Sequence, residues 1–289
     1  MTLRRRYARD RVVVGITAVA TFVVIAPLVV IILYVLVNGV GALSVDFFTE
    51  ELGSPSRAMT GRPTGLVHSI YGTIIIDLLA LFMALPFGLG AGIMLSEYPD
   101  HPLNPPIRIL AGTLNGMPAV LIGLIAFSLV VRPMGGFSGF AGSVALAFLM
   151  IPIIARSTES VLRITPWTLR EAGLALGLPR WRVTLSLVLP ASRSGLITGV
   201  MIAFARAAGE AAPLLFTSFG QNYMNTDITR AMDSLPQRLY SLAISPYPHW
   251  HEMGWAAGIV LLVFVMAIFL IARVVTARFA AWIHDRMNE

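Results

Sequence analysis

Apolar residues fall in six long runs along the chain, separated by polar connectors. Residues 12–37, VVVGITAVATFVVIAPLVVIILYVLV, form a stretch long enough to cross roughly 30 Å of hydrocarbon as a helix. Further spanning helices are predicted at 69–95, 108–131, 140–154, 195–219 and 253–275. The second carries Pro86 near its middle and should kink there. In the third, Gly112, Gly116, Gly123 and Ala126 are small enough to let helices approach closely. The fourth run is short, so its end is expected to continue as helix into the polar loop at 156–194. Residues 38–68 and 221–252 read as polar connectors rich in turn formers. Arg4, Arg5, Arg6, Arg9 and Arg11 precede the first run in the manner of a signal peptide. That run is too long for a leader's apolar core and lacks a small-residue cleavage site, so it is expected to stay in the mature protein.

The 156–194 loop has helical punctuation of its own. Thr168 and Glu171 are spaced as a capping box, which predicts a helix beginning near Leu169. Gly177 suits the left-handed residue that ends such a helix, and Pro179 suits the first turn of the next. Pro190 is expected to bound that second helix. Two short helices hinged at a glycine result, too short and too charged to cross a bilayer.

Composition agrees with the pattern. The 289 residues are 56% hydrophobic and 12% charged with mean hydropathy +0.78, which marks an integral membrane protein. There is no cysteine, so disulfides and thiolate chemistry are excluded. A net charge of +6 would suggest nucleic acid in a soluble protein, but the arginines have another explanation. Most fall on the face shared by the two termini and the 156–194 loop; only Arg57, Arg62, Arg132, Arg230 and Arg238 fall on the other. Arginine excess marks the cytoplasmic side, so both termini and the loop are expected there, with contact to anionic lipid. Arg170 is a further candidate for contact with a partner.

Away from the span ends, three charges lie inside predicted spans. An arginine at the depth expected of Arg206 disfavours insertion by roughly 2.5–3.5 kcal/mol. Glu210, four residues on, is placed to pair with it on one helical face. The guanidinium is a planar fork of donors suited to a tetrahedral oxyanion, so the pair is a candidate for an anion path. Asp77 is the third, either a member of that path or an acid held in a helix contact. No histidine has a metal-ligand spacing, no nucleophile and base combine in the spans, and no GxxxxGK[ST] loop is present. The chain is therefore expected to have no catalytic, metal or cofactor-binding residues, and its energy to come from a partner.

The stretch Glu171–Pro190, EAGLALGLPRWRVTLSLVLP, resembles the EAA loop of ABC importer permeases. The stretches ARAAGEAAPLLFTS at 205–218 and LPQRLYSLAISPYPHWHEMGWAAGIVLL at 235–262 are similar to the A permease subunits of bacterial phosphate-specific (Pst) ABC importers. The resemblance implies an all-α membrane protein with six transmembrane helices of the type I ABC importer permease fold and both termini cytoplasmic. It implies an N-terminal tail, first helix and periplasmic connector over 1–68, a permease core over 69–277 and a C-terminal tail over 278–289. Glu171, Ala172, Gly173, Gly177, Leu187, Leu189 and Pro190 would couple to the ATPase. Its implied partners are a C-type permease as heterodimer, a dimer of ATP-binding subunits that hold ATP and Mg, a periplasmic or lipid-anchored phosphate-binding protein and membrane lipid, with no nucleic acid. The implied place is the bacterial cytoplasmic membrane. Gly173 and Leu187 depart from the usual Ala and Ile of the motif, and Asp77 stands where a neutral residue is usual. The alternatives are a permease of this fold for sulfate or molybdate, and an ion-coupled carrier or channel, for which no inverted repeat is visible.

Overall fold

The computed structural model describes residues 3–60 and 62–287, with side chains at all of these except 3–6, 8, 9, 58, 59 and 275–287. Arg4, Arg5, Arg6, Arg9, Arg278 and Arg286 thus lie outside the described side chains. Helices account for nearly all regular structure: α1 (Leu3–Gly39), α2 (Val45–Thr49), α3 (Pro55–Met59), α4 (Val67–Glu97), α5 (Asn104–Gly116) and α6 (Ala119–Met134). They continue as α7 (Gly139–Ile164), α8 (Trp167–Ala175), α9 (Arg180–Ala208), α10 (Ala212–Thr217), α11 (Leu235–Ala243) and α12 (Pro248–Met287). Among the described residues five helices are long and apolar enough to cross a membrane, or six if the bent pair α5–α6 counts as one span.

The core is built on α4 against α7. Small and polar residues of α4 at helical spacing, Ser69, Thr73, Ala80, Ala84, Gly88 and Gly92, are buried there. A Cβ on Gly92 would lie 2.4 Å from the Cβ of Thr158, so this contact requires glycine. Ile76, Leu146, Met150, Phe204 and Leu214 fill the layer between α4, α7, α9 and α10. α1 stands apart, exposed along most of its length and attached near its end, where Gly39 lies against the backbone of Trp255 and Ala256.

Three expectations need correction. The third run is not one helix: α5 and α6 meet at 110°, because Met117 precedes Pro118 and is held extended (φ −77°, ψ 134°). The helix after the hinge does not stop at Pro190. It widens into a π turn over Thr184–Val188, which gives the proline ring room, and continues to Ala208. A similar π turn over Phe127–Val131 precedes Pro133 in α6. The fifth span consequently starts at Arg180, and it ends at Ala208 instead of running to 219. The fourth run does continue as helix, from Gly139 to Ile164, past Pro152.

Candidate functional site

Two regions hold the residues singled out in the sequence. The first is the hinge segment of α8 and the start of α9. The capping box does not form: α8 begins at Trp167 behind Pro166, with no side-chain cap, because the extended Thr165–Pro166 link already sets the entry angle. The hinge itself is as expected. Gly177 has φ +76°, Leu178 N–H donates to Gly173 O (3.2 Å) and Gly177 N–H to Leu174 O (2.9 Å), the pair of bonds of a Schellman cap.

Beneath the hinge, Leu162, Val183 and Val188 form a buried cluster with Leu178, Leu187, Leu189 and Ile93 packed around it. Gly173 is buried here, and a Cβ on it would lie 2.8 Å from both Leu187 Cδ1 and Val183 Cγ2. Thus Gly173, Leu187 and Leu189 face inward and hold the segment's shape, while Glu171, Ala172, Gly177 and Pro190 are exposed. The exposed face also carries Trp167 (63%), Leu176 (80%) and Trp181 (54%), large apolar groups that the sequence reading passed over. Their signal was apolar residues next to Arg180 and Arg182 in a segment too short to span.

Arg170 is not available to a partner. It is 6% exposed and its guanidinium makes four hydrogen bonds. Nε and Nη2 donate to the two carboxylate oxygens of Glu97 at 2.9 and 2.6 Å, Nη1 donates to Thr165 O (2.9 Å) and Nη2 also to Leu162 O (2.9 Å). Arg108 and Arg163 likewise meet Glu159, at 2.7 and 2.9 Å, so several arginines of this end are engaged in ion pairs.

The second region is the break after α9. Arg206 is exposed two residues before the helix ends, and Glu210, half-buried, lies beyond it, its N–H bonded to Ala207 O (3.0 Å). The expected ion pair is absent among the described residues, since the helix stops at Gly209 and the i, i+4 register is lost. In its place, α9 presents Ser194, Thr198, Ile202 and Arg206 on one exposed stripe at intervals of four. Asp77 is on another face altogether, 2% exposed in the α4 contact, with Oδ2 unpartnered.

At the opposite end of α4 is a buried polar cluster that the sequence reading placed in connectors. Asp233 accepts from the Ser69 hydroxyl and from Arg238 Nε (2.8 Å), with His68 Nε2 at 3.4 Å. Arg238 also donates to Asn222 Oδ1 and Gln221 O. Burial alone would raise the Asp233 carboxyl, but the His68 hydrogen bond and the Arg238 charge outweigh it and hold it below the usual carboxylate range. Leu235 N–H donates to Thr73 Oγ1 at 2.7 Å, so the connector is fastened to α4 at two points.

Comparisons with known proteins bear on the family and the fold. Residues 84–281 match the family model described as "binding-protein-dependent transport system inner membrane component". A phosphate transport system permease protein PstA of Yersinia pestis is 38% identical over 83% of this chain and 81% of its own. The PstA of Pasteurella multocida is 32% identical over 93% and 95%. One of Methanocaldococcus jannaschii, named a probable phosphate transport system permease, is 31% identical over 92% of each chain. Among solved structures, a bacterial alginate ABC transporter chain is similar with TM-score 0.65 and 13% identity over 96% and 98% of the two chains. The MetNI methionine ABC transporter in inward-facing conformation gives 0.61 and 18% over 74% and 95%; both show the fold. The chain therefore belongs to the family of binding-protein-dependent transport system inner membrane components, an all-helical multi-pass membrane protein with the type I ABC importer permease fold.

Proposed function

We propose that this chain is the permease subunit of an ATP-driven importer that passes inorganic phosphate across the cytoplasmic membrane. The observation that carries the reading is the exposed stripe on α9 that ends in Arg206. A guanidinium left exposed in the last turn of this span is disfavoured against lipid, so a second subunit is expected to cover the stripe. A second permease of the C type, set against it, would enclose a passage lined by Ser194, Thr198 and Arg206. There the guanidinium meets the phosphate oxygens, and Glu210 moderates its hold. The identities of 31–38% to phosphate permeases support phosphate over another oxyanion.

The exposed face of α8 and the start of α9 is the ATPase dock. It offers Glu171, Ala172, Gly177 and Pro190 with Leu176 and Trp181 as apolar anchors, supported from within by Gly173, Leu187 and Leu189. ATP and Mg are held by that partner. In this reading the dock and both termini are cytoplasmic, residues 69–277 are the permease core, and a periplasmic or lipid-anchored phosphate-binding protein delivers substrate to the connectors at the other end. Asp77 supports the α4 contact.

The test is co-purification with the ATPase and the second permease, followed by phosphate-dependent ATP hydrolysis and uptake in vesicles. Arg206→Gln is expected to abolish uptake while the complex assembles normally. Wild-type uptake in that variant, or competition by sulfate or molybdate as strong as by phosphate itself, would overturn the assignment.

A further inference from the structure

We propose that Glu97 and Arg170 form the strut by which movement of the docked hinge segment reaches α4, an inference that rests on the reading of that segment as the ATPase dock. One guanidinium joins three elements. Arg170 belongs to α8, both oxygens of Glu97 terminate α4, and the carbonyls of Leu162 and Thr165 close the end of α7. All of its donors that form these bonds are directed at fixed acceptors, and both side chains are 7% exposed.

Among the described residues the hinge segment is otherwise held by the apolar cluster of Leu162, Val183, Val188 and Ile93 and, further along α9, by the Thr165–Ser192 hydroxyl contact (2.6 Å). Apolar contact is non-directional and tolerates sliding. A two-pronged arginine–carboxylate bond does not, because both prongs must remain in plane. Among the described residues the pair is the directional bond that ties α8 to the end of α4.

Stability does not account for it. Buried ion pairs are often replaceable by apolar residues without loss, so what this one adds is geometry. α4 is well suited to transmit that geometry. Its 31 residues make a rod of about 46 Å, packed along α7 through Gly88 and Gly92. At its far end Ser69 and Thr73 grip Asp233 and Leu235 of the connector. A displacement entering at Glu97 is therefore delivered to the segment at the other mouth of the protein. Arg170 and Glu97 are positioning residues; neither faces the α9 stripe.

The experiment compares inorganic phosphate imported per ATP hydrolysed in the assembled complex, for wild type, Arg170→Lys, and the pair Arg170→Met with Glu97→Leu. The paired variant leaves no orphaned charge, and the lysine variant keeps the charge but loses the fork. In both, ATP turnover per assembled complex is expected to persist while the import ratio falls by about tenfold or more. A wild-type ratio in the paired variant, whatever its yield, overturns the strut. Should the paired variant not assemble, a wild-type ratio in Arg170→Lys overturns it equally. Failure of the dock reading is distinct: the wild-type chain would then bind no ATPase and import without ATP.

Discussion

Substitutions at Gly177 separate backbone strain from docking chemistry. The residue has φ +76°, yet no atom lies within 4 Å of where its Cβ would stand, so a side chain meets strain and no clash. Alanine in the left-handed region costs about 1–2 kcal/mol, whereas asparagine and aspartate tolerate it better through local hydrogen bonding. Asparagine and aspartate thus share nearly the same backbone cost, well under that of alanine. They differ by one negative charge set next to Leu176, the most exposed apolar group of the segment. Enclosing that carboxylate unpaired in an interface costs about 2 kcal/mol, or roughly 30-fold in association. The assay is ATPase retained on the purified permease, with phosphate-dependent ATP hydrolysis of the complex. The expected order is wild type, then Asn, then Ala, with Asp far below Ala. Equal retention by Asn and Asp would refute the placement of Gly177 in the dock and reduce the hinge to a folding element.

Further expectations concern the two ends and the core. Asp233 is held below its unfolded value of about 3.9, so the stability it supplies is present above that pH and is lost as pH falls through the lower folded value. Asp233→Asn leaves the buried Arg238 without its counter-charge and should destabilise by about 3–5 kcal/mol at pH 7. Thermal unfolding in detergent should show this gap narrowing below about pH 4, and a gap constant with pH would argue against the pair. A Cβ on Gly199 would lie 1.9 Å from Ser157 Oγ and 2.6 Å from Ser157 Cβ, so Gly199→Val must spread α9 from α7. A loss of about 1–3 kcal/mol is expected, measured by unfolding. Asp77→Asn should leave phosphate uptake within about twofold of wild type, since this acid is buried with Oδ2 unpartnered and forms no ion pair among the described residues. Loss of uptake with normal assembly would return it to the path.

Much of the fold was legible because it depends on local composition. The six apolar runs, the continuation of the fourth through Pro152, and the left-handed Gly177 each follow from side-chain chemistry within a few residues. Errors arose where one residue type has two outcomes. Proline is expected to end a helix, and Pro118 does turn the chain by 110° after an extended Met117, inside a run whose composition reads as one span. Pro190 does not end its helix, because a π turn upstream absorbs the ring. The i, i+4 rule brought Arg206 to Glu210 on an ideal helix; Gly209 ended that helix between them.

Long-range partners were beyond reach for a different reason. Glu97 and Arg170 are 73 positions apart, and Ser69 and Asp233 are 164 apart. No periodicity links them, so an arginine inside a coupling motif read as a surface group. The physical sign was present in part, since Glu97 ends an apolar run where a lone carboxylate at a helix C-terminus is unfavourable and calls for a cation. Following that demand would have led to an arginine of the loop. The same principle explains why the two polar clusters matter together: each fastens one end of α4, the dock end through Arg170 and the connector end through Asp233. Between them α4 runs unbroken through Pro86 and is seated closely on α7 at Gly88 and Gly92. On the proposed reading, what the exposed residues of α8 receive from an ATPase would be carried by α4 as a whole.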